Sequence, residues 1–189
     1  MPINRILLDL DDVCNYLTMP ALHCVGCPVS PINNSQYPVE VGYDIIAACN
    51  QLHPTKKDWT VKEFWDSIPR DLWAEVPCSR ECLRILTLCT SLVGTEDIFI
   101  ATSPTKDPDC LAGKLEWIHD NLFCWLHRQY IITPRKWLCA NPTTLLIDDC
   151  DENVKRFREA GGQAILVPRP WNTLHDLNTI TYLEEQLKA

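Results

Sequence analysis

Apolar residues recur along this chain in two rhythms. Short unbroken apolar stretches occur in RILLDL from Arg5, DIFIATS from Asp97, YII from Tyr130, TTLLIDD from Thr143 and AILVP from Ala164. Runs of this length, rich in Ile and Leu, read as strands buried on both faces. Between them the spacing turns helical. Leu111, Leu115, Ile118 and Leu122 recur through CLAGKLEWIHDNL, which predicts that they form its buried face. Ser79 is placed to cap a helix through ECLRILTLCTSLV that Gly94 closes, and Asp151 to cap ENVKRFREA, which Gly161-Gly162 ends. LNTITYLEEQL reads as a C-terminal helix. Strands separated by helices predict right-handed crossovers and a Rossmann-like parallel sheet with helices on both faces, the α/β class.

Residues 15–77 break this rhythm. They hold many of the prolines and Trp59, Trp65 and Trp73, with one helix predicted over VEVGYDIIAACNQL and another around VKEFWDSI. The expected organisation is a core domain of residues 1–14 and 78–189, with a small, mainly helical domain of residues 15–77 inserted after the first strand.

Composition narrows the classes. The chain has 189 residues, 46% hydrophobic and 22% charged, which fits an ordinary globular protein. A net charge of −8 argues against a nucleic-acid polymer or an anionic membrane as partner, but leaves room for a small anion in a locally positive site. No apolar run approaches the roughly 20 residues that span a bilayer. Acids interrupt the first apolar stretch too early for a signal peptide, so the chain reads as cytoplasmic. Eleven cysteines without an export signal read mainly as small buried hydrophobes, among them Cys82, Cys89, Cys110, Cys124 and Cys139. His23, Cys24 and Cys27 form a C-x-x-C with a flanking His, but no second such pair completes a zinc site, and whether they bind metal stays open. The oligomeric state is equally open, a homodimer included.

Ligands of an open parallel sheet sit at the carboxyl ends of its strands. The first strand here ends in Asp9, Asp11 and Asp12, and the second in Thr102-Ser103. Lys136 follows YII, and the fourth strand ends in Asp148-Asp149. Singly, each has a plain explanation as a turn former, helix cap or surface lysine. Together, hard carboxylate oxygens suit Mg²⁺, and hydroxyls, an ammonium and Mg²⁺ make a site for a phosphoryl group.

The ordered set resembles the haloacid dehalogenase (HAD) superfamily of phosphohydrolases. Asp9-Leu10-Asp11-Asp12-Val13 matches its D-x-D-x-[TV], IFIATS its strand ending in Thr or Ser, Lys136 its Lys, and LLIDD its acidic pair. Within the superfamily the sequence is most similar to the 5'(3')-deoxyribonucleotidases, through Thr102-Ser103-Pro104, Lys114-Leu115-Glu116-Trp117, Thr133-Pro134-Arg135-Lys136 and Leu145 to Asp149. Asp12 stands where that family usually has Gly, and residues 15–77 match no stretch of its cap.

The resemblance implies an HAD-like fold and a Mg²⁺-dependent phosphomonoesterase acting on a small phosphorylated substrate, a nucleoside monophosphate. Asp9 would be the nucleophile and Asp11 the general acid and base. Mg²⁺ would be held by Asp9, Asp11 (through its carbonyl) and Asp148, with Asp149 behind them or through water. Thr102 and Ser103 would bind the phosphoryl oxygens, and Lys136 would neutralise charge. Arg135 is a candidate second cation, with Arg169 a weaker one. Trp65 and Trp73, with Phe64, Tyr43 and Trp59, could stack on a base or form the insertion's own core.

The same residues admit other readings. A phosphatase for another small phosphomonoester, such as a sugar phosphate, fits the same chemistry. A catalytically silent binding protein would keep the fold. A phospho-receiver domain places its acidic pair first and its Lys last, the reverse of the order here.

Overall fold

The computed structural model describes residues 1–55 and 57–188. Five parallel strands, β1 (Arg5–Asp9), β2 (Ile98–Thr102), β3 (Tyr130–Ile132), β4 (Thr144–Asp148) and β5 (Gln163–Leu166), form one sheet in the order β3-β2-β1-β4-β5. The chain builds outward from β1 to one edge, then returns to build the other. β1 is therefore central, with Ile6 in register with Ile98 on one side and Leu145 on the other. The point at which strand order reverses lies between β1 and β4, where such sheets hold ligands.

Alternation along β1 explains its unbroken apolar run. Ile6 and Leu8 join one core with Ile98, Ile100, Leu145 and Ile147. Leu7 faces the other way, with Ala101, Leu146, Val154 and Phe157. The first face is covered by α5 (Cys82–Leu92), α6 (Pro108–Asn121) and α8 (Thr179–Lys188), the second by α7 (Asp151–Glu159).

Between β1 and α5 the chain forms α1 (Thr18–Cys24), α2 (Ile45–Leu52), α3 (Val61–Asp66) and α4 (Arg70–Glu75) and adds no strand to the sheet. The single helix expected over VEVGYDIIAACNQL is split. A 3-10 turn, Val39–Val41, ends at Gly42 with φ of 63°, and Asp44 then caps α2 by accepting from the Ile46 and Ala47 amides. Where this segment leaves and rejoins the sheet its two ends run side by side. The Tyr16 amide donates to the Pro77 carbonyl at 2.9 Å and the Ser79 amide to the Cys14 carbonyl at 2.8 Å. Its apolar residues, Met19, Leu22, Phe64 and Trp73, pack into the same core as Ile6 and Leu8.

Several local expectations shift. Ser79 does not cap α5; its hydroxyl donates to the Val13 carbonyl at 2.8 Å. Asp151 is the first residue of α7, with Cys150 before it, and its carboxylate accepts from Thr173. Cys82, Cys89 and Cys110 are buried, whereas Cys124 is exposed and Cys139 only half-buried. Of the predicted α6 stripe, Ile118 and Leu122 are buried and Leu111 and Leu115 only half-buried; Cys110, Gly113, Lys114 and Trp117 complete the buried face, where polar partners hold Lys114. His23, Cys24 and Cys27 do not converge. The His23 ring nitrogen pairs with the Val29 carbonyl, Cys24 is exposed, and Cys27 Sγ lies 3.8 Å from Cys49 Sγ.

Candidate active site

The carboxyl ends of β1, β2 and β4 and the turn after β3 meet at the reversal point. Lys136 opens a short 3-10 turn (Lys136–Cys139) and is 1% exposed. Its Nζ lies 2.6 Å from Asp9 Oδ1 and 2.7 Å from Asp148 Oδ2, so one ammonium bridges the two central strand ends. Asp9 Oδ1 also accepts from the Leu10 amide at 2.8 Å, and Oδ2 accepts no hydrogen bond among the described residues. Asp148 is held further by the Cys150 amide and the Asn153 side chain. Asp149 Oδ2 accepts from the Trp171 indole at 2.6 Å, while its Oδ1 is buried without a hydrogen bond.

Asp9, Asp148 and Asp149 each place one carboxylate oxygen within 4.8 Å of the others. Three hard oxygens from buried carboxylates form a donor set suited to a divalent cation such as Mg²⁺, and Asp149 brings a buried acceptor without a partner to that cluster. Electrostatics agree. Burial, with repulsion from Asp148 and Asp11, raises the Asp9 carboxyl well above the ordinary range although Lys136 opposes it. Burial, with repulsion from Asp12, Asp148 and Asp9, does the same for Asp149. Burial alone would lower Lys136, but Asp148 and Asp9 outweigh it and hold the ammonium charged. The acids outnumber the one cation at the floor of the site, and added positive charge would relieve them.

A second lysine carries the rest of the site. Lys114, buried on α6, donates to Asp11 Oδ2 at 2.5 Å, Thr102 Oγ1 at 3.0 Å and the Ser103 carbonyl at 2.7 Å. All three ammonium protons are used, and the carboxylate of Asp11 is fixed to the end of β2. Lys114 was legible only as part of the K-x-x-W match, and no site role followed from it. Its depth comes from packing. Gly113 allows α4 and α6 to touch, since a Cβ there would lie 2.5 Å from Trp73 Cβ, and the Trp73 ring then sits 5.2 Å from Lys114 Nζ.

Above Asp11, Ser103 and Lys114 opens a cavity of about 730 Å³, walled largely by the segment between β1 and α5. Trp65 and Trp73 line it as a stacked pair, with ring centroids 5.7 Å apart at 25°. Tyr43 also lines it, as do Tyr37 and Trp171, which meet edge to face at 5.2 Å. The other candidates lie elsewhere. Phe64 is fully buried in the core, Trp59 packs on His53, and Arg135 is exposed and off the cavity wall. Thr102 is buried with its hydroxyl engaged by Lys114, and the Ser103 hydroxyl is 3.4 Å from the Thr133 carbonyl. Arg169 is buried and turns to the loop after β1, donating to the Asp12 carbonyl. Burial pushes the Asp12 carboxyl up to about 6 against hydrogen bonds from Thr18.

No protein-family model and no curated protein sequence matches the chain. Solved structures do. It is similar to the HAD-hydrolase YfnB from Bacillus subtilis bound to magnesium, with a TM-score of 0.58 at 12% identity over 100% of both chains. It is also similar to a haloacid dehalogenase-like hydrolase from Streptococcus pneumoniae, with a TM-score of 0.60 at 12% identity over 97% of this chain and 98% of that one. A HAD family hydrolase from Deinococcus radiodurans with bound phosphate and sodium aligns with a TM-score of 0.55 at 15% identity over 98% and 95%. At such identities the likeness is one of architecture, and the chain has the HAD-like fold.

Proposed function

We propose that this chain is a Mg²⁺-dependent phosphomonoester hydrolase of the HAD superfamily, acting through an aspartyl phosphate on (deoxy)nucleoside monophosphates. The observation that carries the chemistry is Asp9. One of its oxygens is pinned by the Leu10 amide and Lys136, and the other accepts no hydrogen bond among the described residues. A fixed carboxylate with one unpartnered oxygen beside a buried ammonium is built to attack a phosphoryl group.

Asp9 Oδ2 attacks phosphorus in line, and the substrate's P–O bond to its alcohol breaks. Asp11 gives its proton to the departing alkoxide, then takes one from the water that hydrolyses the aspartyl phosphate, which restores the Asp9 carboxylate and the Asp11 acid. Incoming phosphoryl oxygens offer the Lys114 ammonium new acceptors, which frees Asp11 Oδ2 to carry that proton. Thr102 and Ser103 bind phosphoryl oxygens, and Lys136 offsets charge on Asp9. Mg²⁺, held by Asp9, Asp148, the Asp11 carbonyl and Asp149 behind them, would neutralise the phosphoryl oxygens as they approach the acids. Residues 15–77 act as the cap that carries base recognition.

A cation requirement has a signature in stability. Asp9 and Asp149 hold protons more tightly folded than unfolded, where such carboxyls titrate near 3.8. The stability from those protons is full below that value and is lost as pH rises through the raised folded values. In chelator, the thermal midpoint should fall from pH 5 to pH 8. Mg²⁺ binds the deprotonated cluster, so its stabilisation should be small at pH 5 and roughly 5–10 °C at pH 8 at saturating concentration. A Mg²⁺ shift independent of pH would remove the cluster as its site.

The nucleotide assignment rests on Trp65, half-buried in the wall of the cavity that Asp11 also lines, with the buried Trp73 stacked against it. Aromatic stacking contributes ~1–3 kcal/mol per base, so Trp65→Ala and Trp73→Ala should each raise nucleotide KM about tenfold to a hundredfold. Unchanged KM in both, with only a lower melting temperature, would show that the rings are merely core. Phosphate release from a panel of nucleoside monophosphates and sugar phosphates tests the reading as a whole. Turnover of sugar phosphates alone would replace the nucleotidase assignment with the sugar-phosphatase one.

A further inference from the structure

Asp12 takes part in none of these steps, yet its conformation is unusual and every part of it is engaged. With φ of 58° it is the one non-glycine residue in the left-handed region among the described residues. There a Cβ crowds the next carbonyl, so something must hold the residue in place. Its amide donates to Asn15 Oδ1 at 3.1 Å, and its carbonyl accepts from Arg169 Nε at 2.6 Å. Its carboxylate accepts from the Leu17 amide at 2.9 Å, the Thr18 amide at 3.1 Å and the Thr18 hydroxyl at 2.6 Å.

Those last contacts satisfy amide groups at the start of α1, where Leu17 has no capping side chain of its own. Leu17 and Thr18 both line the cavity, and the residue before Asp12 is the candidate acid Asp11. One residue thus ties the loop that carries Asp11 to a wall of the substrate cavity. Were only the backbone required, glycine would adopt this φ without strain. The side chain supplies what glycine lacks, namely the tie to α1.

We propose that Asp12 is a positioning residue with two separable roles. Its left-handed backbone, clamped by Arg169, aims Asp11. Its carboxylate latches α1, so that the cavity wall at Leu17 and Thr18 stays in register with the phosphoryl site. The kinetic consequence rests on the phosphatase reading; the structural latch does not.

Three variants separate the roles. Asp12→Gly keeps the backbone and loses the latch, Asp12→Ala loses the latch and disfavours the backbone, and Asp12→Asn tolerates the left-handed region and keeps an acceptor. Amide hydrogen exchange at Leu17 and Thr18 should quicken about tenfold in the Gly and Ala variants and stay native in Asn, as loss of a helix cap implies. Kinetics would use the best-hydrolysed nucleoside monophosphate and p-nitrophenyl phosphate, a smaller ester with neither sugar nor base. Asp12→Gly should raise nucleotide KM about tenfold, with kcat and the p-nitrophenyl phosphate KM within about twofold, the split expected when only ground-state binding is lost. Asp12→Ala should add a drop in kcat of about tenfold, through misalignment of Asp11. Asp12→Asn should restore both.

Native exchange in Asp12→Gly would overturn the latch. Unchanged nucleotide KM there would overturn its link to the cavity wall, and equal kcat in the Gly and Ala variants would overturn the backbone role. A wild-type protein that releases phosphate from neither substrate would refute the phosphatase reading, while the exchange measurement would still decide the latch.

Discussion

Asp9→Asn should lose phosphate release by on the order of 10⁴-fold or more, the scale on which removal of a covalent nucleophile acts. An amide cannot attack phosphorus, so no intermediate forms. Structural collapse would not account for the loss. The Asn side-chain oxygen still accepts from the Leu10 amide and from Lys136, as Asp9 Oδ1 does. The substitution also removes a buried carboxyl held well above its ordinary range by burial and by repulsion from Asp148 and Asp11. In chelator at neutral pH the variant should therefore unfold at or above the wild-type temperature. Phosphate-release assays and thermal unfolding on one preparation would check both halves. Substantial residual turnover would place the chemistry elsewhere.

The second large effect belongs to Lys136. Its ammonium stands between Asp9 and Asp148 at 2.6 and 2.7 Å, with almost no exposure. Lys136→Met keeps the volume and removes the charge. Two buried carboxylates then face each other unpaired, a situation that costs ~3–5 kcal/mol when one partner of a buried pair is deleted. Protonation relieves part of the cost at low pH, so the deficit should grow from pH 5 to pH 8 in urea unfolding with chelator present. Turnover should fall by roughly 10²–10³-fold, as for other lost charge stabilisation in a dry site. Adding Asp9→Asn to Lys136→Met should restore much of the stability and none of the activity. If the double variant were as unstable as the single one, Lys136 would matter for packing rather than for charge.

The sheet and the floor of the site were legible for related reasons. A central parallel strand must be apolar on both faces, and the Ile6-Leu7-Leu8 run splits between the two cores as that requires. Parallel strands bring the residues at their carboxyl ends to one edge, so Asp9, Lys136, Asp148 and Asp149 meet although they are distant in the chain. The residues that escaped depend on contacts that no local pattern encodes. Lys114 sits in the buried face of α6, where periodicity favoured Leu111 and Leu115, because Asp11, Thr102 and Ser103 supply acceptors from other elements. The grip of Trp171 on Asp149 crosses 22 residues. α1 and α4 span only seven and six residues, too few to show a period, and they are held by packing and by the remote cap at Asp12. The question left open at His23, Cys24 and Cys27 also turned on a remote contact, since Cys27 lies against Cys49 and Cys24 is exposed.

An intermediate on Asp9 is the centre of the proposed mechanism, and a trapping measurement reaches it most directly. Asp11→Asn removes the acid and the base together. p-Nitrophenyl phosphate has a leaving group that departs without protonation, so the first step proceeds while hydrolysis of the acyl phosphate stalls. With Mg²⁺ and this substrate, the acid-quenched Asp11→Asn protein should carry a phosphoryl group that peptide mapping places on Asp9, and Asp11→Asn combined with Asp9→Asn should carry none. Phosphate release by the wild type with no phosphoryl group on Asp9 in the trapped variant would contradict the mechanism.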